Sequence, residues 1–169
     1  IDLTISIVAW NSGQLILQCL DSIFATVKNH SLKVFVIDND STIKSIGTIA
    51  RLFPDASVIE NSENIGFARA HNQILSNVTS HYVLLLNPDT VLGDGTVDRV
   101  IEYMDEHPRI GISGCKVLFP DGSIQQTVMS FPSVSVEAKR VFREYCYPLN
   151  RVLFKETRDI GKVSPAHTE

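Results

Sequence analysis

Tyr82-Val83-Leu84-Leu85-Leu86-Asn87-Pro88-Asp89-Thr90 runs apolar for five residues and then stops on Asn-Pro-Asp-Thr. A run with no polar alternation reads as a strand buried on both faces, the mark of a parallel sheet covered by helices. The stop has two readings. Asn, Pro and Asp are ordinary turn formers, so a surface turn is the plain one. In an open parallel sheet, however, ligands bind outside the carboxyl ends of the strands, and a strand ending this way delivers Asp89 to a ligand or a metal.

The sequence on either side supports such a sheet. Leu3 to Ala9 (LTISIVA) reads as a buried strand, and Gln14 to Val27 as a helix with Leu15, Cys19, Leu20, Ile23, Phe24 and Val27 at helical spacing. Lys33 to Ile37 is the next strand, halting at Asp38-Asn39-Asp40-Ser41. Helical patterns over Ile43 to Phe53 and Gly66 to Val78 flank a short strand at Ala56 to Glu60. After the opening stretch come a helix over Thr96 to Glu106 and a strand within Gly111 to Leu118. This alternation predicts an α/β fold with a mainly parallel, Rossmann-like sheet flanked by helices. Phe119-Pro120-Asp121-Gly122-Ser123 breaks the pattern with a turn, and Ser123 to Val128 reads as a returning hairpin strand. Val134 to Tyr145 fits an amphipathic helix, and the remainder carries no assignable pattern.

A chain of 169 residues suits one domain with a sizeable core. Its 44% apolar and 20% charged residues are those of a soluble globular protein. A net charge of −4, from 15 basic and 19 acidic residues with no long basic run, argues against a general nucleic-acid binder. Cys19, Cys115 and Cys146 are odd in number and scattered, so buried free thiols in a reducing cytosol are expected. No apolar run approaches the ~18 residues of a membrane span, and no signal peptide is visible. The chain opens without Met in a strand already under way, and stops abruptly at VSPAHTE. Both ends read as boundaries of an excised piece.

Three strand ends carry polar clusters: Ala9-Trp10-Asn11-Ser12, Asp38-Asn39-Asp40-Ser41 and Asn87-Pro88-Asp89-Thr90. Every parallel strand ends in a polar loop, so one cluster means little; three, two of them acidic, favour a site. A carboxylate can bind a ribose hydroxyl or a pyrimidine N–H, and an indole can pack against a base. A second carboxylate can hold a divalent cation on a diphosphate, which then becomes a competent leaving group. Against this, Asp38 and Asp40 suit the cap of the following helix as well as they suit a ligand. Trp10 alone is more often core, Asp89 alone more often a turn residue, and His71 a partly packed helix residue. NSENIGFARAHNQ, Asn61 to Gln73, is more specific: Gly66 permits close backbone approach, Phe67 anchors the loop and Arg69 is suited to a phosphate.

WNS, VIDNDS, NIGFARAHNQ and LLLNPDT, in this order and spacing, resemble the inverting nucleotide-sugar glycosyltransferases of the large family 2 type, which have a GT-A fold. The resemblance covers Leu3 to Leu118. The segment FPDGSIQQTVMSFPSV is similar to the one after the core in bacterial rhamnosyltransferase-like members, which build surface polysaccharides. The resemblance implies a nucleotide-sugar-binding core over residues 1–118 and an incomplete start of the acceptor side over 119–169. Val8, Trp10 and Asn11 would line the nucleotide pocket, and Asp38 with Asn39 would bind the base or ribose. Asn64, Gly66 and Arg69 would close over the nucleotide. Asp89 matches the last carboxylate of the family's Asp-x-Asp motif and would hold Mg²⁺ or Mn²⁺. The first acidic position is Asn87 here, which leaves a weaker metal site that leans on the donor's phosphates.

The implied donor is a nucleoside diphosphate sugar, with rhamnose among the candidates and thymidine or uridine as the nucleoside. The implied acceptor is a saccharide or a lipid-linked oligosaccharide, placing the enzyme in the cytoplasm at the inner face of a membrane. Val141 to Phe154 mixes apolar and basic residues and suits either lipid contact or core packing. Members of the family supply a general base from an acidic motif downstream. Glu137, Glu144, Glu156 and Asp159 lack its surroundings, so the fold is expected to be truncated before the acceptor half and the base to lie beyond Glu169. Two other readings stand beside this one. A non-catalytic nucleotide-sugar-binding module shares all the same motifs. A response-regulator receiver also ends a central strand on Asp, but requires an acidic pair where this chain has Trp10-Asn11-Ser12.

Overall fold

A computed structural model describes residues 1–42, 46–127, 133, 134, 138 and 141. The chain divides into two compact units, Ile1–Cys115 and Lys116–Glu169.

The first unit holds one sheet. Its strands are β1 (Leu3–Ala9), β2 (Leu32–Asn39), β3 (Ala56–Asn61) and β4 (Tyr82–Leu86). They lie in the order β3-β2-β1-β4, and every pairing is parallel. The helices α1 (Leu15–Thr26), α2 (Ile46–Leu52), α3 (Phe67–Leu75) and α4 (Thr96–Glu106) follow β1 to β4 in turn. Alternation along each strand sorts side chains to two faces. On one face Leu3, Ile5 and Ile7 of β1 and Val34 and Val36 of β2 meet Ile16, Leu20 and Ile23 of α1, Ile49 of α2 and Val97 and Ile101 of α4 in the main core. On the other, Val8 and Ile37 pack against Ala70 and Ile74 of α3 in a second, smaller core. Every residue of β1 is buried, as an uninterrupted apolar strand at the middle of a covered sheet must be. The expectation that β4 is buried on both faces is corrected, since it ends the sheet and Val83 and Leu85 are 40% and 48% exposed.

The strand order places the site. The chain steps outward from β1 to β2 to β3, then crosses back to lay β4 on the other side of β1. The direction of winding reverses between β3 and β4, and in open parallel sheets ligands bind outside the carboxyl ends of the strands. A receiver-type sheet has its third strand across β1 from its second. Here β3 pairs with β2, so the topology is of the other doubly wound kind.

The expected fifth strand within Gly111 to Leu118 is corrected. Only Val117–Leu118 is strand (β5), and it pairs antiparallel with Ile124–Gln125 (β6) in a separate two-stranded sheet. Gly111 and Gly114 weaken strand formation in this run, and Ile112 is 93% exposed. Apolar residues alone do not make a strand without a neighbour to supply hydrogen bonds. The hairpin turn does form: Gly122, at φ 82°, donates to the Phe119 carbonyl at 2.8 Å, with Pro120 and Asp121 between. Most of the expected helix over Val134 to Tyr145, and nearly all of Val141 to Phe154, lies outside the described residues.

Candidate functional site at the carboxyl edge of the sheet

β2 runs two residues further than its apolar run suggests, so Asp38 and Asn39 are strand residues, paired with Ala9 and Asn61. Successive strand residues point to opposite faces, and the two side chains therefore do different things.

Asp38 lies on the α1 and α2 side, 4% exposed. Its Oδ1 accepts the Ser41 amide at 3.2 Å. Its Oδ2 is buried with no hydrogen-bond partner among the described residues. The bond to Ser41 holds the loop that follows β2. Asp38 borders a cavity of about 10 Å³ lined also by Ala9, Ser12, Gly13 and Ser41.

Asn39, 2% exposed, faces the α3 side and is saturated by protein. It donates to Asn64 Oδ1 at 2.7 Å and accepts from Asn61 Nδ2 at 3.1 Å and from the Ile65 amide at 3.2 Å. Asn64 Oδ1 in turn accepts the Gly66 amide at 3.0 Å, and Asn61 exchanges hydrogen bonds with Gln73 of α3. Gly66 has φ 82° at the head of α3, a conformation that only glycine adopts without strain. Asn39 is thus the tie that holds the Asn64–Gly66 loop, while Arg69 stands exposed on the first turn of the helix.

The β1–α1 loop is built in a similar way. Asn11 takes φ 53°, which Asn tolerates better than most residues. Its amide donates to Ser41 Oγ at 2.9 Å, and its Oδ1 accepts both the amide and the hydroxyl of Thr42, at 2.8 and 2.9 Å. Asn11 therefore welds two loops together and, in doing so, holds Trp10 out of the core, 59% exposed. Val8 turns away from these groups into the second core.

The stretch that ends β4 is a turn and also presents a carboxylate. Thr90 donates to the Asn87 carbonyl through its amide at 3.3 Å and its hydroxyl at 2.7 Å, which closes the turn over Pro88 and Asp89. Asn87 and Asp89 are exposed. Among the described residues no three His, Cys, Asp or Glu side chains gather to hold a metal ion. A lone exposed carboxylate beside a neutral amide fits a Mg²⁺ or Mn²⁺ that arrives with phosphate oxygens, since such ions take as few as one carboxylate.

Sequence reasoning missed several residues. Ser41 and Thr42 join the loops, and Gln73 braces Asn61. His71 is buried, 1% exposed, rather than partly packed. It shares a 2.8 Å hydrogen bond with Ser6 of β1, and burial holds its imidazole below the usual histidine range. Cys19 is buried as expected, but Cys115 is exposed. A larger cavity of about 230 Å³ lies at the opposite, amino edge, bordered by Ile1, Thr4, Lys33, Phe35 and Thr79. The unpartnered Asp38 oxygen and the exposed Trp10 and Asp89 lie at the carboxyl edge.

A parallel sheet covered by helices, with polar loops after β1, β2 and β4, is the arrangement in which α/β proteins bind ligands at the strands' carboxyl edge. Comparison with known proteins gives the family. The model of glycosyl transferase family 2 matches residues 4–161, and the chain belongs to that family. Among similar curated proteins is the N-acetylglucosaminyl-diphospho-decaprenol L-rhamnosyltransferase of Mycobacterium tuberculosis, 24% identical over 61% of this chain and 37% of its own length. Another is the amylovoran biosynthesis glycosyltransferase AmsE of Erwinia amylovora, 25% identical over 89% of this chain and 58% of its own.

Among solved structures, TarS of S. aureus superposes with a TM-score of 0.57 at 20% identity, over 64% of this chain and 33% of the TarS 1-349 chain. The mannosyltransferase PcManGT from Pyrobaculum calidifontis, solved with GDP-Man and Mn²⁺, gives 0.56 at 25% identity, over 60% and 32%. The sheet is thus the GT-A sheet of these glycosyltransferases. The chain matches less than two thirds of the length of each of these relatives.

Proposed function

We propose that this chain is the donor-binding part of an inverting glycosyltransferase that takes a sugar, rhamnose foremost, from a nucleoside diphosphate in cell-surface polysaccharide synthesis. The single observation that carries the reading is Asp38. A carboxylate oxygen buried without a partner is costly, by about 1–3 kcal/mol or more for a charged group, and it stands at the carboxyl edge where such sheets bind ligands. A ribose hydroxyl or base N–H would satisfy it. Trp10 offers its indole face to the base, Asn64, Gly66 and Arg69 cover the nucleotide, and Asn87 and Asp89 stand at the diphosphate. Asn11 and Asn39 serve through the backbone they hold, and Val8 packs in the second core rather than lining the pocket.

In the reaction, an acceptor hydroxyl attacks the anomeric carbon from the face opposite the diphosphate. The bond to the diphosphate oxygen breaks with its electron pair, and the hydroxyl proton passes to a general base, proposed to lie beyond Glu169. Asp89 would hold a divalent cation, which would neutralise charge at the leaving diphosphate, and Arg69 adds a fixed positive charge.

The rhamnosyltransferase relative, whose name specifies a decaprenol-linked substrate, supports a lipid-linked or saccharide acceptor. It also favours a cytoplasmic protein in peripheral contact with the membrane. No helix among the described residues is long and apolar enough to cross one. Calorimetric titration of UDP, dTDP and GDP, each with and without Mn²⁺, tests the reading. At least one should bind, more tightly with Mn²⁺, and Asp89→Ala should remove the metal-dependent gain. A chain that binds none of the three, or an Asp89→Ala variant with its metal response intact, contradicts it.

A further inference from the structure

We infer that Ser22, acting with Cys19 and Thr90, is a positioning residue for Asp89: α1 grips the loop from Asn87 to Leu92 at two points and so sets where the carboxylate stands. The inference deepens the reading of Asp89 as the metal ligand and rests on it.

Ser22 is buried on α1, three residues after Cys19. Its Oγ donates to the Cys19 carbonyl at 2.7 Å and accepts the Leu92 amide at 3.0 Å. Cys19 Sγ lies 3.7 Å from the Asn87 carbonyl oxygen and 3.9 Å from Thr90 Oγ1. The Cys19 thiol is the donor to the Asn87 carbonyl. The Asn87 carbonyl therefore collects donors from Thr90 and from Cys19. Asn87 precedes Asp89 by two residues and Leu92 follows it by three, and both are tied to one turn of α1. That turn is itself fixed, since Ile16, Cys19, Leu20 and Ile23 fill the main core.

The grip matters because Asp89 is exposed and its side chain has no hydrogen bond among the described residues to aim it. A site with one carboxylate has no second ligand to correct a misplaced first one, and Mg²⁺ tolerates little departure from octahedral geometry. Removing the Ser22 hydroxyl frees the Leu92 amide and lets the turn drift, without touching the groups proposed for the base and ribose.

Calorimetry on the whole chain tests this, with UDP plus and minus Mn²⁺, UMP without metal, and dTDP and dTMP in their place if UDP does not bind. Ser22→Ala should cut the Mn²⁺-dependent gain in diphosphate affinity by roughly tenfold, or erase a smaller gain, the scale of one lost hydrogen bond to a charged site. Monophosphate affinity should stay within about twofold. Thr90→Val, which keeps the α1 core untouched, should act in the same direction and decides the matter if Ser22→Ala does not fold. Asp89→Ala is the reference and should abolish the gain. A gain lost in Asp89→Ala but retained in both other variants overturns the positioning role alone. A gain that survives Asp89→Ala, or is missing from the wild-type chain, overturns the metal reading and the positioning role together.

Discussion

Asp38 commits one oxygen to the Ser41 amide and leaves the other buried and unpartnered, so it holds a loop and remains available to a ligand at once. Asp38→Asn separates the two jobs, because the amide oxygen still accepts from Ser41 while the second oxygen is replaced by a donor. Losing a charged hydrogen bond costs about 1.5–3 kcal/mol, or roughly tenfold to a hundredfold in affinity. The variant should therefore weaken UMP or dTMP binding by that factor and leave the melting temperature nearly unchanged. A lowered melting temperature with unchanged affinity would make Asp38 a loop holder only. The carboxylate was legible in the sequence because an apolar run that stops on Asp marks a strand end. The division of labour with Asn39 was not, since it depends on β2 continuing two residues beyond its apolar stretch.

Asn39 shows how one side chain governs an element. Its amide joins β2, the end of β3 and the loop into α3 through Asn61, Asn64 and Ile65. Asn39→Ala should destabilise the chain by about 1–3 kcal/mol, read from the urea midpoint, and should speed amide exchange at Ile65 and Gly66. A midpoint shifted by less than about 0.5 kcal/mol, with exchange unchanged, would show that Asn61 and Gln73 hold the loop unaided. The elements were largely readable. α4 spans Thr96–Glu106, the range its spacing predicts, because a helix carries its periodicity within itself. Strands depend on neighbours, which is why Gly111 to Leu118 misled: apolar residues there state that something is to be covered, not what pairs with them. Ser22 carried no signal at all, because its partner Leu92 lies 70 residues away.

At the scale of the molecule, the order β3-β2-β1-β4 is what brings the polar loops to one edge of the sheet. Trp10 and Asn11 follow β1, Asp38 lies near the end of β2, and Asn87 and Asp89 follow β4, so three separate segments stand at the carboxyl ends of adjacent parallel strands. The uninterrupted apolar strands predict a parallel sheet, and the motif order carries the likeness to family 2. The strand order itself came only with the structure, because pairing partners are long-range. The central claim is that this edge, and not the larger cavity at the opposite one, receives the nucleotide. Amide hydrogen exchange on this chain, with and without saturating UDP or dTDP and Mn²⁺, tests it most directly. The account predicts added protection at Ala9–Ser12, Asp38–Thr42, Asn64–Arg69 and Asn87–Thr90. Protection absent from all four, or confined to the amino edge around Ile1, Lys33 and Thr79, would contradict it.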